Sequence, residues 1–271
     1  MNKLITIFLV FTTNLLCGQS FLDKELKFVG NVKAVYYLEF KVIEKDDKIL
    51  KGDTIECSYL KYEFDNKNRL LSEEYCLLDL FTSYKYKYDR NGRLIDRTNF
   101  NHLDRKYVYD STGNQVKELM YDSEGLMGYW SYKYDNNGNK IERTGYLGDD
   151  FVERWKYEYD QDYKKIIEFM VGAEPYNNPS DMVKTYEYDN DGRLISSVWT
   201  DPKTKTTSVD KYKYNVKGDI IEHYNKNDFQ RGIEELKTFN YQYDQNGNWI
   251  QRIEYINARP ITITERKIEY N

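Results

Sequence analysis

The sequence predicts an all-β fold: a long antiparallel meander of repeated hairpins forming a curled or half-shell single sheet. Three observations predict it. Tyrosine supplies 28 of the 271 residues while alanine occurs only three times, and aromatic and β-branched residues favour strands as alanine favours helices. A Tyr-x-(Tyr/Phe)-(Asp/Asn) string recurs eight times, beginning at Tyr62, Tyr86, Tyr107, Tyr132, Tyr157, Tyr186, Tyr212 and Tyr241. Each string leads into a turn sequence, usually Asp-x-x-Gly, and then an aliphatic residue at a fixed distance.

The repeat dictates its own local structure. Two tyrosines flanking one filler (Lys87, Lys133, Glu158, Lys213) share one face of a strand, because successive side chains alternate across it. The closing aspartate accepts hydrogen bonds from turn amides, and the glycine adopts a left-handed conformation without steric cost. Asn68 replaces the first glycine and tolerates that conformation; Tyr163 replaces the fifth, which predicts an irregular turn there. The recurrent aliphatics are Leu71, Ile95, Val116, Ile141, Ile166, Ile195, Ile221 and Ile250. A four-residue loop, pairing Phe64 with Arg69 and Tyr62 with Leu71, would place them on the aromatic face. Hydrophobic patterning favours that register over a three-residue loop.

Ahead of the repeats, residues 32–42 and 53–60 read as degenerate opening strands, and residues 261–270 alternate well enough for a closing strand. Residues 171–182, rich in proline and asparagine, read as the longest connection, with residues 200–208 as another. The four-residue register also sets Cys57 opposite Cys76 in a non-hydrogen-bonded pair, with Cα atoms about 4.5 Å apart, within disulfide range. The reading is a cross-strand disulfide; the alternative is two free thiols in a slipped register.

Residues 1–19 read as a signal peptide: Lys3, an apolar run from Leu4 to Leu16, then small residues near Cys17. Leu15 and Leu16 before Cys17 argue against a lipoprotein signal. The chain is expected to be exported, to the periplasm, the outer surface or the medium, with residues 20–271 as one repeat domain. No later stretch reaches the length of a membrane-spanning helix.

The strings Tyr86-Lys-Tyr88-Asp89-Arg-Asn-Gly92 and Tyr186-Glu-Tyr188-Asp189-Asn-Asp-Gly192 resemble the YD repeats of the Rhs family of bacterial surface and toxin-delivery proteins. The resemblance runs from Tyr62 to Ile250 and implies a spiralling strip of β-hairpins on an exported, surface-associated protein. With eight repeats, no recognisable core-processing segment and no added domain after Asn271, it does not carry toxin delivery with it.

Charge and composition narrow the function. The 40 basic and 45 acidic residues leave a net charge of −5, which makes nucleic acid an unfavourable partner. His102 and His223 are the only histidines, thin support for nucleophilic catalysis, and each reads as an exposed or packed side chain. No Cys/His cluster suggests zinc. The Asp135 and Asp189 turns lack the acidic twelfth residue of a calcium loop. No catalytic residue, metal or cofactor is therefore expected. Trp130, Trp155, Trp199 and Trp249 are the candidate ligand-binding residues, as sugar-stacking platforms or alternatively as sheet core, with Trp199 the most exposed. The expected function is a non-catalytic scaffold or adaptor binding an envelope protein. The alternative is a glycan-binding module for a surface polysaccharide.

Overall fold

The computed structural model describes residues 28–77, 80–99, 103–162, 164–172, 182–230 and 232–271. The signal segment, Cys17, His102, Tyr163 and most of the 171–182 connection lie outside these residues. Among the described residues nineteen strands follow one another: β1 (Val32–Lys45), β2 (Lys48–Thr54), β3 (Leu60–Phe64), β4 (Leu70–Leu77), β5 (Leu80–Tyr88), β6 (Leu94–Asn99), β7 (Asp104–Tyr109), β8 (Gln115–Asp122), β9 (Gly125–Tyr134) and β10 (Lys140–Leu147). Then come β11 (Asp150–Tyr159), β12 (Lys165–Gly172), β13 (Val183–Tyr188), β14 (Leu194–Thr200), β15 (Thr207–Tyr214), β16 (Ile220–Asn227), β17 (Ile233–Tyr243), β18 (Trp249–Ile256) and β19 (Arg259–Tyr270). The opening strands differ from expectation in one respect: β2 ends at Thr54, and residues 55–59 form a turn before β3.

The sheet is closed, which corrects the expected half-shell. From β3 to β19 each strand pairs antiparallel with the next, and β1 joins the two ends. On one side β1 pairs with β19, from Val32 opposite Tyr270 to Lys41 opposite Thr262. On the other it pairs with β3 over Ala34–Tyr37. The result is an 18-stranded antiparallel barrel, with β2 continuing along the far part of β1 as a projecting hairpin. Closure removes the two unpaired edges that an open strip would present. For 18 strands at ~4.8 Å spacing and the usual tilt, a circular barrel is roughly 35 Å across between backbones.

Closure also buries the apolar seam that sews it. Val32, Val35, Tyr37, Tyr62, Phe64 and Trp249 form one buried cluster across β1, β3 and β18, joined by Phe28, Tyr241, Ile268 and Tyr270. A second cluster, Met120, Trp130, Tyr132 and Trp155, lies on β8, β9 and β11. Both are built along the wall from nearby strands.

The hairpin turns correct the loop length. Asp65 N–H bonds Arg69 O and Asn68 N–H bonds Asp65 O, the signature of a three-residue loop. A bulge follows at once, so that Phe64 faces Leu70 but Glu63 faces Ser72. The bulge inserts one residue and restores the parity that the four-residue loop was invoked to supply, with Tyr62 opposite Glu73. The recurrent aliphatic occupies the bulge. Leu71, Ile95, Ile141 and Ile221 are exposed there, and the other four are half-buried. The fifth turn, expected to be irregular, keeps the bonds from Asp162 and Lys164 amides to Asp160 Oδ1.

Turn chemistry continues from repeat to repeat. The aspartate Oδ1 accepts two amides, as Asp89 does from Asn91 and Arg93, and its Oδ2 accepts the Arg93 Nε. The arginine then lies over the second tyrosine of the next string, Arg93 4.9 Å from the Tyr109 ring. That tyrosine's hydroxyl donates to the bulge carbonyl of the preceding hairpin: Tyr88 to Leu70, Tyr109 to Leu94, Tyr134 to Gln115, Tyr159 to Lys140, Tyr188 to Lys165 and Tyr214 to Leu194. The first repeat has no preceding repeat hairpin and carries Phe64 there, packed edge-on against Phe28.

Cys57 and Cys76 are joined as a disulfide with Cα atoms 4.9 Å apart. The register that suggested the pair is not the one found. Cys57 sits ahead of β3 in a left-handed conformation (φ 56°), and Cys76 N–H bonds Tyr59 O.

Candidate functional site: the barrel lumen

Strand alternation in a closed barrel puts the repeated tyrosines inside. Opposite the first tyrosine of each string stands the residue eleven positions on: Glu73, Arg97, Glu118, Arg143, Glu168, Ser197, His223 and Arg252. The first five alternate acid and base around the ring. This layer was missed by the sequence reading, although a fixed offset of eleven from each tyrosine marks it. The fillers between the tyrosines face out, and the lysines among them form cross-strand ion pairs, including Lys133–Glu142 at 2.8 Å and Lys213–Glu222 at 2.9 Å. Such an outward layer suits water; a lipid-facing barrel wall carries an apolar band.

Inside, acids and bases neutralise one another in specific sets. Arg97 reaches Glu73 at 3.3 Å and lies 3.7 Å over the Tyr84 ring. Glu118 is ion-paired with Arg105 and accepts the Tyr132 hydroxyl at 2.8 Å. Burial opposes ionisation of Glu168, yet Lys165 at 2.6 Å and the Tyr186 hydroxyl at 2.7 Å hold its carboxyl below the usual range. Burial, with Glu118 nearby, pushes the Tyr107 phenol up to about 12.

His223 stacks on Tyr212, ring centroids 4.8 Å apart, and its Nε2 lies 2.8 Å from Asp210 Oδ1. Asn225 also donates to that oxygen. Among the described residues no serine or cysteine is hydrogen-bonded to the imidazole. Among the same residues no group of three metal-ligating side chains occurs, and no helix is long and apolar enough to cross a membrane.

The four tryptophans divide. Trp130, Trp155 and Trp249 are buried. Arg143 lies 4.3 Å over the Trp130 ring and 5.3 Å from that of Trp155, and Arg266 lies 3.4 Å over Trp249. Trp199 is half-buried, edge-on to Trp155 at 5.9 Å, with Lys184 Nζ 5.0 Å from its ring. Tyr86, Tyr107, Tyr157, Tyr186, Tyr212 and Tyr241 are also half-buried. The lumen wall is thus an aromatic surface reachable by solvent and studded with fixed charges.

The class defined by these features is a closed antiparallel β-barrel with an aromatic, charged lumen. Among solved structures the chain is similar to a porin-like protein from Bacteroides uniformis, at 12% identity and a TM-score of 0.45, over 89% of this chain and 98% of that one. It is also similar to a porin-like protein from Bacteroides vulgatus, at 14% identity and a TM-score of 0.46, over 74% and 97%. In a TcdB2-TccC3 structure the likeness has 13% identity and a TM-score of 0.40, over 88% of this chain but 16% of that one. These identities are far below the level at which side-chain roles carry over. No family model and no curated protein matches the chain, so the Rhs likeness remains one of repeat strings.

Proposed function

We propose that the protein is a non-catalytic, exported binding module of the bacterial envelope whose lumen is its binding surface. The observation that carries this reading is the half-buried aromatic lining of a closed ring. Rings left in contact with water inside a concave wall, beside hydrogen-bonding groups of fixed position, suit ligands with apolar faces and polar edges, as sugars have. Closure favours this reading over an adaptor that binds along a strip, because the strip's edges are consumed.

The test is intrinsic tryptophan fluorescence of the mature protein titrated with envelope and host polysaccharides. A saturable change with one class of polysaccharide is expected, diminished in Trp199→Ala. A flat response across the panel would sink the proposal. A second reading, docking to an envelope protein, is favoured by the rim opposite the repeat turns. There the Ile43–Leu50 pair of the β1–β2 hairpin is exposed, as are Leu80 and Phe81, near 70%. Cross-linking in the envelope, with and without Leu80→Ser/Phe81→Ser, tests it.

A further inference from the structure

The lumen wall from β9 to β14 differs from the rest in its charge balance. Glu168 on β12 is paired with Lys165, and Glu118 on the adjoining β8 with Arg105; Glu153 on β11 is half-buried, with Arg143 the cation that acts on it. Lys140, Arg143 and Lys184 also face the lumen, and among the described residues none of the three has a carboxylate within ion-pair distance. Each lies instead over a ring: Lys140 Nζ 3.9 Å from the Tyr132 centroid, Arg143 4.3 Å from Trp130, Lys184 5.0 Å from Trp199. The buried Nε of Arg143 has no hydrogen-bond partner.

We propose that this wall is a subsite for the carboxylates of an acidic glycan, with Lys140, Arg143 and Lys184 as the anion-binding groups and Trp199 as the ring against which a sugar face packs. The inference rests on the lumen being the binding surface and adds the charge of the ligand. Burial lowers the pKa of both Lys140 and Lys184; Arg143 and Lys165 act on Lys140 as like charges against Glu118, while Glu168 and Asp210 partly offset burial at Lys184. These carboxylates act on the three cations without forming an ion pair with any of them, so an incoming carboxylate supplies the close contact that each lacks. The interleaved Glu118 and Glu168 repel a continuous polyanion, so spaced carboxylates separated by hydroxyl-bearing rings fit better than a phosphate backbone.

The experiment is calorimetric titration with hexagalacturonate, with maltohexaose as the uncharged comparator. The proteins are the wild type, Lys140→Gln/Lys184→Gln, and an outer-face control, Lys213→Gln. Hexagalacturonate is expected to bind the wild type and the control alike. Loss of charge-assisted bonds should weaken the double variant about tenfold or more. Raising salt to about 0.5 M should weaken the wild type. The double variant should melt no lower than the wild type, because burial disfavours both ammonium groups, which separates lost binding from lost folding. Equal binding of hexagalacturonate by wild type and double variant would overturn the subsite. Binding of maltohexaose alone would overturn it while leaving the lumen reading intact, and binding of neither sugar would overturn both.

Discussion

Replacing the second tyrosine of a repeat with phenylalanine tests how the hairpins are coupled. In Tyr134→Phe the ring stays and only the hydroxyl that donates 2.7 Å to Gln115 O is lost. A hydrogen bond of this kind contributes about 1 kcal/mol net, and a barrel of this size loses about 2–4 °C in Tm per kcal/mol. The single variant should therefore melt about 2–4 °C lower. Tyr109, Tyr159 and Tyr214 make the same bond to Leu94, Lys140 and Leu194, and they are separated by intervening strands. Their triple replacement should be near-additive, about 6–12 °C. The reciprocal change, Phe64→Tyr, supplies a hydroxyl where Phe64 is buried against Phe28 and its neighbour is β1 rather than an earlier repeat hairpin, so it should give no gain. Calorimetric melts of the wild type and these three variants check this. If Tyr134→Phe leaves Tm unchanged, or if Phe64→Tyr stabilises, the hydroxyl is not what couples one hairpin to the next.

Three further outcomes are expected. The unreduced mature protein should show a two-hydrogen mass deficit from the Cys57–Cys76 bond. Reduction should cost about 3 kcal/mol for a sequence separation of 19 residues, read as a lower denaturant midpoint. The turn carboxyls are held below their ordinary pKa, Asp89 by the Arg93 amide and Asp110 and Asp135 by the Thr112 and Asn139 side chains. Because the folded pKa is depressed, their contribution is present above the unfolded value and lost on acidification. Melting temperature should thus be level above about pH 5 and fall below about pH 4; a level profile down to pH 2 would count against the turn bonds. A chain ending at Ala258 lacks β19, which uncovers β1 and the Val35–Tyr37–Trp249 cluster. It should bind a hydrophobic dye and associate, whereas a monomer that excludes the dye would show that closure does not protect this seam.

The strands and their turns are legible in the sequence because they are local. Tyr-x-Tyr alternation defines a face within three residues, and Asp-x-x-Gly forms its turn from its own carboxylate and one left-handed glycine. Register was misread at Leu71, since burial of an aliphatic was weighed and a bulge, which restores the same parity with one loop residue fewer, was not. The acid–base series from Glu73 to Glu168 was also present in the sequence, at a fixed offset. Those residues read as ordinary surface charges until strand pairing faced them inward. What tertiary structure alone decided was closure: Val32 meets Tyr270 across nearly the whole described chain. No local pattern specifies such a contact, because it depends on the twist accumulated over all the intervening strands. The same closure turned a stripe of tyrosines from a face in need of cover into the lining of a lumen.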